Sequence, residues 1–411
     1  MNIIAHNADW QHPAITEQHA FEKAQVLLPT VEGVVYFAFP WATLIDKYVT
    51  KQTRDTAQLL EKLQSFIESL KPYTKVVTVC QHIFMLEFQN IFHKLGITDI
   101  FWTHAIKNQT FLPDYPDIHI HPFPLYPVQA VNQTVQTGID KKYLFSFVGA
   151  TINKWYLTDS RHLIVELLGK HPQAYICSRE QWHYGNLVYK QQVYGKTIEI
   201  EEQAAYQQHS QEFQSIMQQS VFALCPSGSG PNSIRLWEAI SHGVIPVVLA
   251  DTYQSPVPDS LWQDAVVVCE ETEAAIRALP QCLTQLAADD AVLAQKRQAL
   301  KQLAMRYGVE VFIHDIIALY QQYQNKAASS EVAPVSLQFS IKDNIASDKL
   351  PEGRAEHLLG FLSLPLTSTN CSDFLASLVS YALLDSVALK QLWVVHPELD
   401  KHLARCLPHC P

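Results

Sequence analysis

The stretch VFALCPSGSGPNSIRLWEAISHGVIPVVLAD, residues 221–251, decides the fold. Residues 221–225 form an apolar run typical of a buried strand, and a polar loop follows at 226–231. Residues 232–242 have the periodicity of a helix, and 244–249 are again apolar. Strand, loop, helix and strand in this order are the βαβ unit of a parallel sheet, whose strands are buried on both faces.

The loop has the composition of an anion-binding site. Gly228 and Gly230 allow a ligand to approach the backbone closely, and Pro231 fits the first turn of the helix, with Ser229 or Gly230 as its cap. A helix N-terminus carries partial positive charge and unpaired N–H groups, which attract phosphate. The alternative interpretation is an ordinary turn.

The helix after the loop has one polar and one apolar face. Asn232, Arg235, Glu238 and His242 recur every three or four residues and share the polar face. We expect Arg235 to hold a diphosphate by paired hydrogen bonds and Glu238 to accept hydrogen bonds from ribose hydroxyls. The alternative is a surface ion pair between these two residues.

Strand-like and helix-like segments alternate through most of the chain, which predicts an α/β protein of two Rossmann-like domains facing across a cleft. The predicted strands are 1–5, 33–39, 75–80, 99–103 and 118–120, then 143–150, 174–177, 221–225, 244–249 and 265–269. The predicted helices are 53–70 and 83–95, then 160–168, 203–218, 232–242 and 288–322, the last interrupted near Gly308. Residues 1–130 and 140–325 are the two domains, 326–338 a linker, and 339–411 a small, mainly helical extension of unknown role.

Length and charge exclude several classes of protein. A chain of 411 residues suits two domains, and a net charge of −10 argues against a surface that binds nucleic acid. The first residues have no signal-peptide pattern, and no segment is apolar enough to span a bilayer. We therefore expect a cytoplasmic protein, with peripheral association at the inner face of the membrane left open.

The eight cysteines are scattered and are predicted to be buried free thiols. CLPHC, residues 406–410, could bind zinc, but no second pair of matching spacing exists, and no metal site is predicted.

Residues 227–251, together with YLFSFVGA at 143–150 and Arg161, resemble the carboxy-terminal domain of exostosin-like glycosyltransferases (family 47), in particular their bacterial members. The resemblance covers roughly residues 143–280. It implies a GT-B fold, an inverting transfer from a nucleotide diphosphate sugar, with a UDP-sugar as the expected donor, and no Asp-x-Asp metal motif. It implies neither a cofactor nor a metal.

The resemblance also assigns residues to the donor site. The family's helical arginine and glutamate correspond to Arg235 and Glu238, and its strand-end glycine and following arginine to Gly149 and Arg161, with Lys154 as the alternative to Arg161. Where the family often has two adjacent basic residues, this chain has Ile234 and Arg235. The predicted donor-binding residues are Gly149, Arg161, Ser227, Gly228, Ser229, Gly230, Asn232, Ser233, Arg235 and Glu238.

An inverting transfer needs a general base, which we expect from the first domain. Asp9, His82, Glu87 and His104 lie at predicted strand ends or in the segments that follow them, and the sequence does not choose among them. A polar cluster at 177–186, with Trp182, His183 and Tyr184, could contact a base or sugar or only cover a loop.

These patterns predict transfer of a sugar to a surface or capsular polysaccharide, with a glycan or lipid-linked glycan as acceptor. The alternatives are a retaining GT-B transferase, a sugar-nucleotide epimerase, or a non-catalytic glycan-binding subunit. A P-loop kinase is disfavoured because no Gly-Lys-Ser/Thr follows the glycines.

Overall fold

The computed structural model describes residues 2–129, 140–151, 154–179 and 200–331, of which 200–206 and 326–331 are described as backbone only. The predicted helical extension at 339–411, the CLPHC motif and the cluster at Trp182, His183 and Tyr184 lie outside these residues.

The first half of the chain forms a six-stranded sheet in the order β1-β2-β3-β4-β6-β5. Its strands are β1 Ile3–Ala5, β2 Val34–Ala38, β3 Lys75–Cys80, β4 Asp99–Trp102, β5 Phe111–Leu112 and β6 Tyr115–Pro122. All neighbours are parallel except β5 and β6. The five predicted strands are confirmed, and β5, a two-residue strand at the sheet edge, carries too short a pattern to be predicted.

The helices of this half are α1 Thr16–Leu27, α2 Trp41–Val49, α3 Thr53–Leu70 and α4 Gln89–Lys94. The prediction of α3 is confirmed. The single helix predicted at 83–95 is wrong, because a 3-10 helix, Met85–Phe88, precedes α4. The sequence did not predict α1 or α2. Along α1, buried residues include Glu17 and His19, so its buried face is not an apolar one.

The second sheet is wholly parallel and has the order β11-β10-β9-β7-β8. Its strands are β7 Tyr143–Ala150, β8 Ala174–Arg179, β9 Ser220–Pro226, β10 Ile245–Leu249 and β11 Val267–Val268. The chain moves from β7 outward to β8 and then back across to β9. The strand order therefore reverses between β7 and β9, which makes the carboxyl ends of these two strands the topological switch point of the sheet.

The described residues of this half form the helices α5 Ser160–Leu168, α6 Ile200–Gln218, α7 Ile234–Ser241, α8 Asp259–Ala265, α9 Glu273–Ala287, α10 Asp290–Tyr307 and α11 His314–Glu331. The predicted linker is wrong for residues 326–331, which continue α11. The last strand was predicted two residues too early at 265, because apolar Ala265 ends α8.

Both sheets lie in one compact unit, Met1–Tyr320, and each is a parallel or mostly parallel sheet with helices, which confirms the two predicted Rossmann-like regions. Ile106 and Tyr253 form an antiparallel bridge between the two lobes. Beside it, the N–H of Gln254 donates to the carbonyl of Ala105 at 2.9 Å. Within the described part of the chain, no helix has the length and apolarity needed to cross a bilayer.

Candidate functional site

The 227–233 loop follows β9 at the switch point of the second sheet, the position where open α/β sheets bind ligands. Backbone hydrogen bonds fix its shape. The N–H of Ser227 donates to the carbonyl of Leu249 at 2.7 Å, and the N–H of Gly228 donates to Gly230 at 3.0 Å. Gly228, Ser229 and Ser233 are half-buried, whereas Ser227 and Gly230 are buried.

The helix after this loop begins later than the sequence predicts. α7 starts at Ile234, with Ser233 in an extended conformation before it and no side-chain cap. Asn232 therefore lies outside the helix. Its buried amide donates to the carbonyl of Thr103 in the first lobe at 2.7 Å and accepts from Trp237 Nε1 at 2.9 Å. The amide nitrogen thus joins the two lobes, the amide oxygen holds Trp237 within the second lobe, and Asn232 does not lie on the face of α7 that carries Arg235.

Arg235 lies at the switch point with part of its guanidinium unused. Its Nη2 donates to the carbonyl of Val148 at 2.5 Å, and the guanidinium lies 4.7 Å from the centre of the Phe147 ring. Nε and Nη1 are buried, and neither has a hydrogen-bond partner among the described residues. Burial lowers the pKa of Arg235. A Cβ at Gly149 would collide with Nη2, which explains the glycine at this strand end.

Arg161, on α5, connects the ends of β7 and β9. Its Nε donates to the carbonyl of Ser227 at 2.7 Å, its Nη1 donates to that of Ala150 at 3.1 Å, and the guanidinium lies 4.6 Å from the centre of the Tyr156 ring. Burial and then the Arg235 guanidinium lower the pKa of Arg161 to about 10. Two neighbouring cations at the switch point create a local preference for an anion.

The carboxylate of Glu238 has a hydrogen-bond partner within the protein. The side chain is buried, and its Oε1 accepts from the backbone N–H of Gln129 at 3.1 Å. Burial raises the pKa of Glu238 to about 7, against the lowering effects of that N–H and of Arg235. His242 is buried as well. Glu238 and His242 thus lie against other parts of the protein, and the contact of Glu238 with ribose hydroxyls stays a prediction.

Glu271, which the sequence analysis missed, is the acidic residue nearest the loop. It follows β11, and its Oε1 accepts hydroxyl hydrogen bonds from Ser227 at 2.5 Å, Thr158 at 2.8 Å and Ser160 at 3.1 Å. Its Oε2 accepts from the N–H of Asp251 at 3.3 Å. The available signal was the acidic pair at 270–271, directly after a predicted strand end.

Lys154, the predicted alternative to Arg161, lies elsewhere. Its Nζ is 4.9 Å from the centre of the Trp155 ring. Trp155 in turn contacts Phe84 of the first lobe edge-on, with ring centroids 5.9 Å apart. This segment, which precedes α5, therefore meets the segment that follows β3.

Of the four predicted base candidates, His104 contacts the 227–233 loop. A Cβ at Gly230 would collide with the His104 ring. The ring is buried, and its Nδ1 has no hydrogen-bond partner among the described residues. Burial, followed by the nearby His82, lowers the pKa of His104 to about 3, so the ring is neutral at physiological pH.

His82 follows β3 and is paired with a residue that the sequence analysis missed. Its Nε2 lies 3.2 Å from Oδ1 of Asp46, on α2, and both side chains are largely buried. Its Nδ1 accepts from the backbone N–H of Phe84 at 3.1 Å. Asp46 sits within a segment that was not predicted to be helical, which is why no pattern pointed to it.

Asp9 and Glu87 are both exposed. Asp9 has a φ of 60° and pairs with His6 Nε2 at 3.0 Å. Glu87 lies on the 3-10 helix that precedes α4. Within the described residues, none of the recorded contacts joins either carboxylate to the 227–233 loop. No group of three or more His, Cys, Asp or Glu side chains in the same described ranges is placed to hold a metal.

A sequence profile of the Exostosin GT47 domain matches residues 79–284, half of the chain. A probable glucuronosyltransferase of Oryza sativa subsp. japonica is 37% identical over 89 residues, 21% of this chain and 21% of that protein. A probable β-1,4-xylosyltransferase of Arabidopsis thaliana is 33% identical over 100 residues, 24% of this chain and 23% of that protein.

The chain thus matches between a fifth and a quarter of the length of these curated relatives. Both are plant proteins and give no support to the expectation of a bacterial member. Among solved structures, a glycosyltransferase from Rickettsia africae ESF-5 aligns over 78% of this chain and 97% of its own, with 8% identity and a TM-score of 0.41. A likeness this distant says nothing of activity.

Proposed function

Because the chain belongs to the exostosin GT47 family, we propose that it is a glycosyltransferase that moves a sugar from a nucleotide diphosphate donor to a glycan acceptor. The donor binds at the carboxyl ends of β7 and β9. Relatives named for glucuronosyl and xylosyl transfer make UDP-glucuronic acid and UDP-xylose the first donors to try.

The observation that carries this proposal is the unpartnered part of the Arg235 guanidinium. A buried N–H without an acceptor costs about 1–3 kcal/mol, and more when the group is charged. Two such groups on one guanidinium, at the switch point of a parallel sheet, are satisfied when a diphosphate supplies anionic oxygens. The nearby N–H groups at the start of α7 favour the same ligand.

The residues at this site also suit the departure of a diphosphate. Negative charge builds on the leaving oxygen as the bond to the anomeric carbon breaks, and preorganised cations stabilise it. Arg235 supplies free donors, while Arg161 fixes the carbonyls of Ser227 and Ala150 and adds positive charge. We propose an inverting transfer that needs no metal ion. Arg161 supplies the positive charge that the family often has in a second basic residue beside Arg235.

The acceptor and the location are further parts of the proposal. A surface or capsular polysaccharide, carried as a glycan or a lipid-linked glycan, is the acceptor class, and the site of transfer is the cytoplasm or the inner face of the membrane. Three alternatives are tested against the proposed inverting transferase: a retaining transferase, an epimerase and a non-catalytic glycan-binding subunit.

The test is a thermal-shift titration of the full chain with UDP, GDP and CMP. We expect UDP to raise the Tm of the wild type and not of Arg235→Ala. Arg277→Ala removes an exposed arginine whose partner is Glu273 on the same helix, and it should respond to UDP like the wild type. An equal UDP response in Arg235→Ala would contradict the proposed site.

Catalysis is tested separately by UDP release. The wild type should release UDP from UDP-xylose or UDP-glucuronic acid faster when an oligosaccharide acceptor such as xylobiose is added. Binding of UDP without release from any UDP-sugar would favour the glycan-binding subunit. Conversion of the free UDP-sugar to an isomer would favour the epimerase.

A further inference from the structure

We propose that Asp46 and His82 form a catalytic dyad, in which His82 is the general base of the transfer and Asp46 positions it. This inference rests on the proposed function and deepens it, since it selects one of four sequence candidates and adds a residue that no sequence pattern indicated.

His82 lies in the part of the first lobe that contacts the second lobe. The residues directly after His82 lie against the second lobe: a Cβ at Gly230 would be 2.8 Å from Cγ2 of Ile83, and Phe84 contacts Trp155. His82 is also near enough to His104 to lower the pKa of that ring, which lies against Gly230. His82 is therefore near the 227–233 loop, in the lobe opposite the one that carries the proposed donor site.

The hydrogen bonds of His82 fix the tautomer of its neutral ring. A backbone N–H can only donate, so the bond from Phe84 N–H to His82 Nδ1 requires a lone pair on Nδ1. In the neutral ring the proton is then on Nε2, which donates to Oδ1 of Asp46. His82 thus presents Nδ1 as its proton acceptor, and an acceptor hydroxyl competes with the Phe84 N–H for that atom.

Asp46 is held in place by hydrogen bonds to neighbouring segments. Its Oδ2 accepts from Gln11 Nε2 at 2.6 Å, and Oε1 of Gln11 accepts from Gln81 Nε2 at 2.8 Å. This chain of hydrogen bonds joins segments that follow β1, β2 and β3, at the edge of the sheet where ligands bind. A largely buried carboxylate at 3.2 Å stabilises an imidazolium more strongly than an exposed one would.

The other candidates lack this arrangement. Among the described residues no carboxylate forms an ion pair with His104, and burial makes its protonated form unfavourable. Asp9 and Glu87 are exposed and have no recorded contact with the loop among the described residues.

The step balances as a single displacement. The acceptor hydroxyl oxygen forms a bond to the anomeric carbon while its proton moves to Nδ1 of His82. The bond between the anomeric carbon and the diphosphate oxygen breaks, and its electron pair leaves on the diphosphate, beside Arg235. His82 becomes an imidazolium whose Nε2–H faces the Asp46 carboxylate, and it later releases the proton to water.

Titratable groups face the dyad from several elements. Asp46 of α2 and His104 after β4 face His82, and Glu17 of α1 lies behind Asp46. In Asp46→Asn the amide no longer stabilises the imidazolium, so the acidic limb of the pH–rate profile should move to lower pH. The rate at the optimum should fall by about 10²-fold, the scale of general-base catalysis.

The experiment compares wild type, Asp46→Asn, His82→Gln, His104→Gln and Asp55→Asn, each as the full chain. UDP release from UDP-xylose and UDP-glucuronic acid is followed with xylobiose over about pH 5 to 9, and UDP binding by thermal shift. Asp55, which pairs with Lys47 on a neighbouring helix, is the matched control and should leave the rate unchanged.

We expect Asp46→Asn and His82→Gln to bind UDP as the wild type does and to lose turnover, with the shifted acidic limb seen in Asp46→Asn. Unchanged turnover and pH profile in Asp46→Asn would overturn the dyad, as would full activity in His82→Gln with loss in His104→Gln. If Asp46→Asn does not fold, the turnover of His82→Gln is compared with that of His104→Gln. Loss of turnover in His82→Gln supports His82 as the base, and loss in His104→Gln alone overturns it. A wild type that binds no UDP would instead overturn the proposed function.

Discussion

Gly230 lies directly against the ring of His104, so close that no Cβ can be accommodated at position 230. Gly230 belongs to the 227–233 loop of the second lobe and His104 follows β4 of the first, so the contact joins the proposed donor loop to the opposite wall of the site. The glycine is needed here because of its neighbour, since Gly230 is not among the residues with positive φ.

Gly230→Ala should therefore push the loop and His104 apart. We expect turnover to fall by about tenfold or more, because a displacement near 1 Å at a reacting site is that costly. Arg277→Ala, an exposed position on α9 away from this loop, is the control and should leave turnover unchanged. The double variant Gly230→Ala with His104→Ala should regain part of the lost thermal stability, because the close approach to Ile83 at 2.8 Å remains, and no regain at all would mean that the His104 ring is not the cause.

Asn232 should matter for stability more than for ligand binding. Asn232→Ala leaves the carbonyl of Thr103 and the indole N–H of Trp237 without the partners they now have, at about 1–3 kcal/mol for each buried group. Denaturant unfolding should report a loss of this size. Ser233→Ala is the control and should change little, because Ser233 makes no side-chain cap. A ligand-contacting Asn232 would instead lose UDP affinity with little change in stability.

The sequence predicted the centre of the second sheet well because β7, β9 and β10 are mostly apolar and largely buried. YLFSFVGA is β7 over its whole length, and the strand-loop-helix-strand segment at 221–251 is as predicted in kind. The exact start of α7 was missed because Asn232 makes tertiary bonds to Thr103 and Trp237, which no local pattern encodes.

The same limit applies to the site. Arg235 and Gly149 were found from the family resemblance, and the structure brings them together. Asp46 and Glu271 were missed because each acts through partners distant in the chain, His82 in one case and Ser227 in the other. Helical spacing predicted that Glu238 shares a face with Arg235, but it could not show that Glu238 is buried and accepts a hydrogen bond from Gln129.

Arg161 and Arg235 should respond differently to replacement by lysine. Arg161 donates from two nitrogens to the carbonyls of Ser227 and Ala150, a forked geometry that one ammonium cannot reproduce. Arg161→Lys should lower the Tm by several degrees, whereas Arg235→Lys, which loses one bond to Val148, should lower it less and weaken UDP binding more. Thermal unfolding with and without UDP measures both effects, and the reverse ranking in UDP affinity would contradict the assignment.

Glu17 should make stability depend on pH. Burial raises its pKa to about 8, although N–H groups of Gln81 and Ala42 favour the carboxylate and lower it. The pKa of Glu17 is near the ordinary value of 4.5 in the unfolded chain and about 8 in the folded chain, so the folded state binds more protons between these values. The contribution of protonated Glu17 to the free energy of unfolding is therefore fully present below pH 4.5 and is lost as the pH rises through about 8.

Glu17→Gln removes this dependence because the amide is neutral at every pH. At about 1.4 kcal/mol per pKa unit, the variant should gain a few kcal/mol relative to wild type between about pH 5 and about pH 8. Unfolding by urea across this range measures the gain. Glu22→Gln, an exposed position on the same helix, should show no such trend. A constant difference between Glu17→Gln and wild type would mean that Glu17 is ionised in the folded protein, with its charge balanced by the N–H groups at the start of α2.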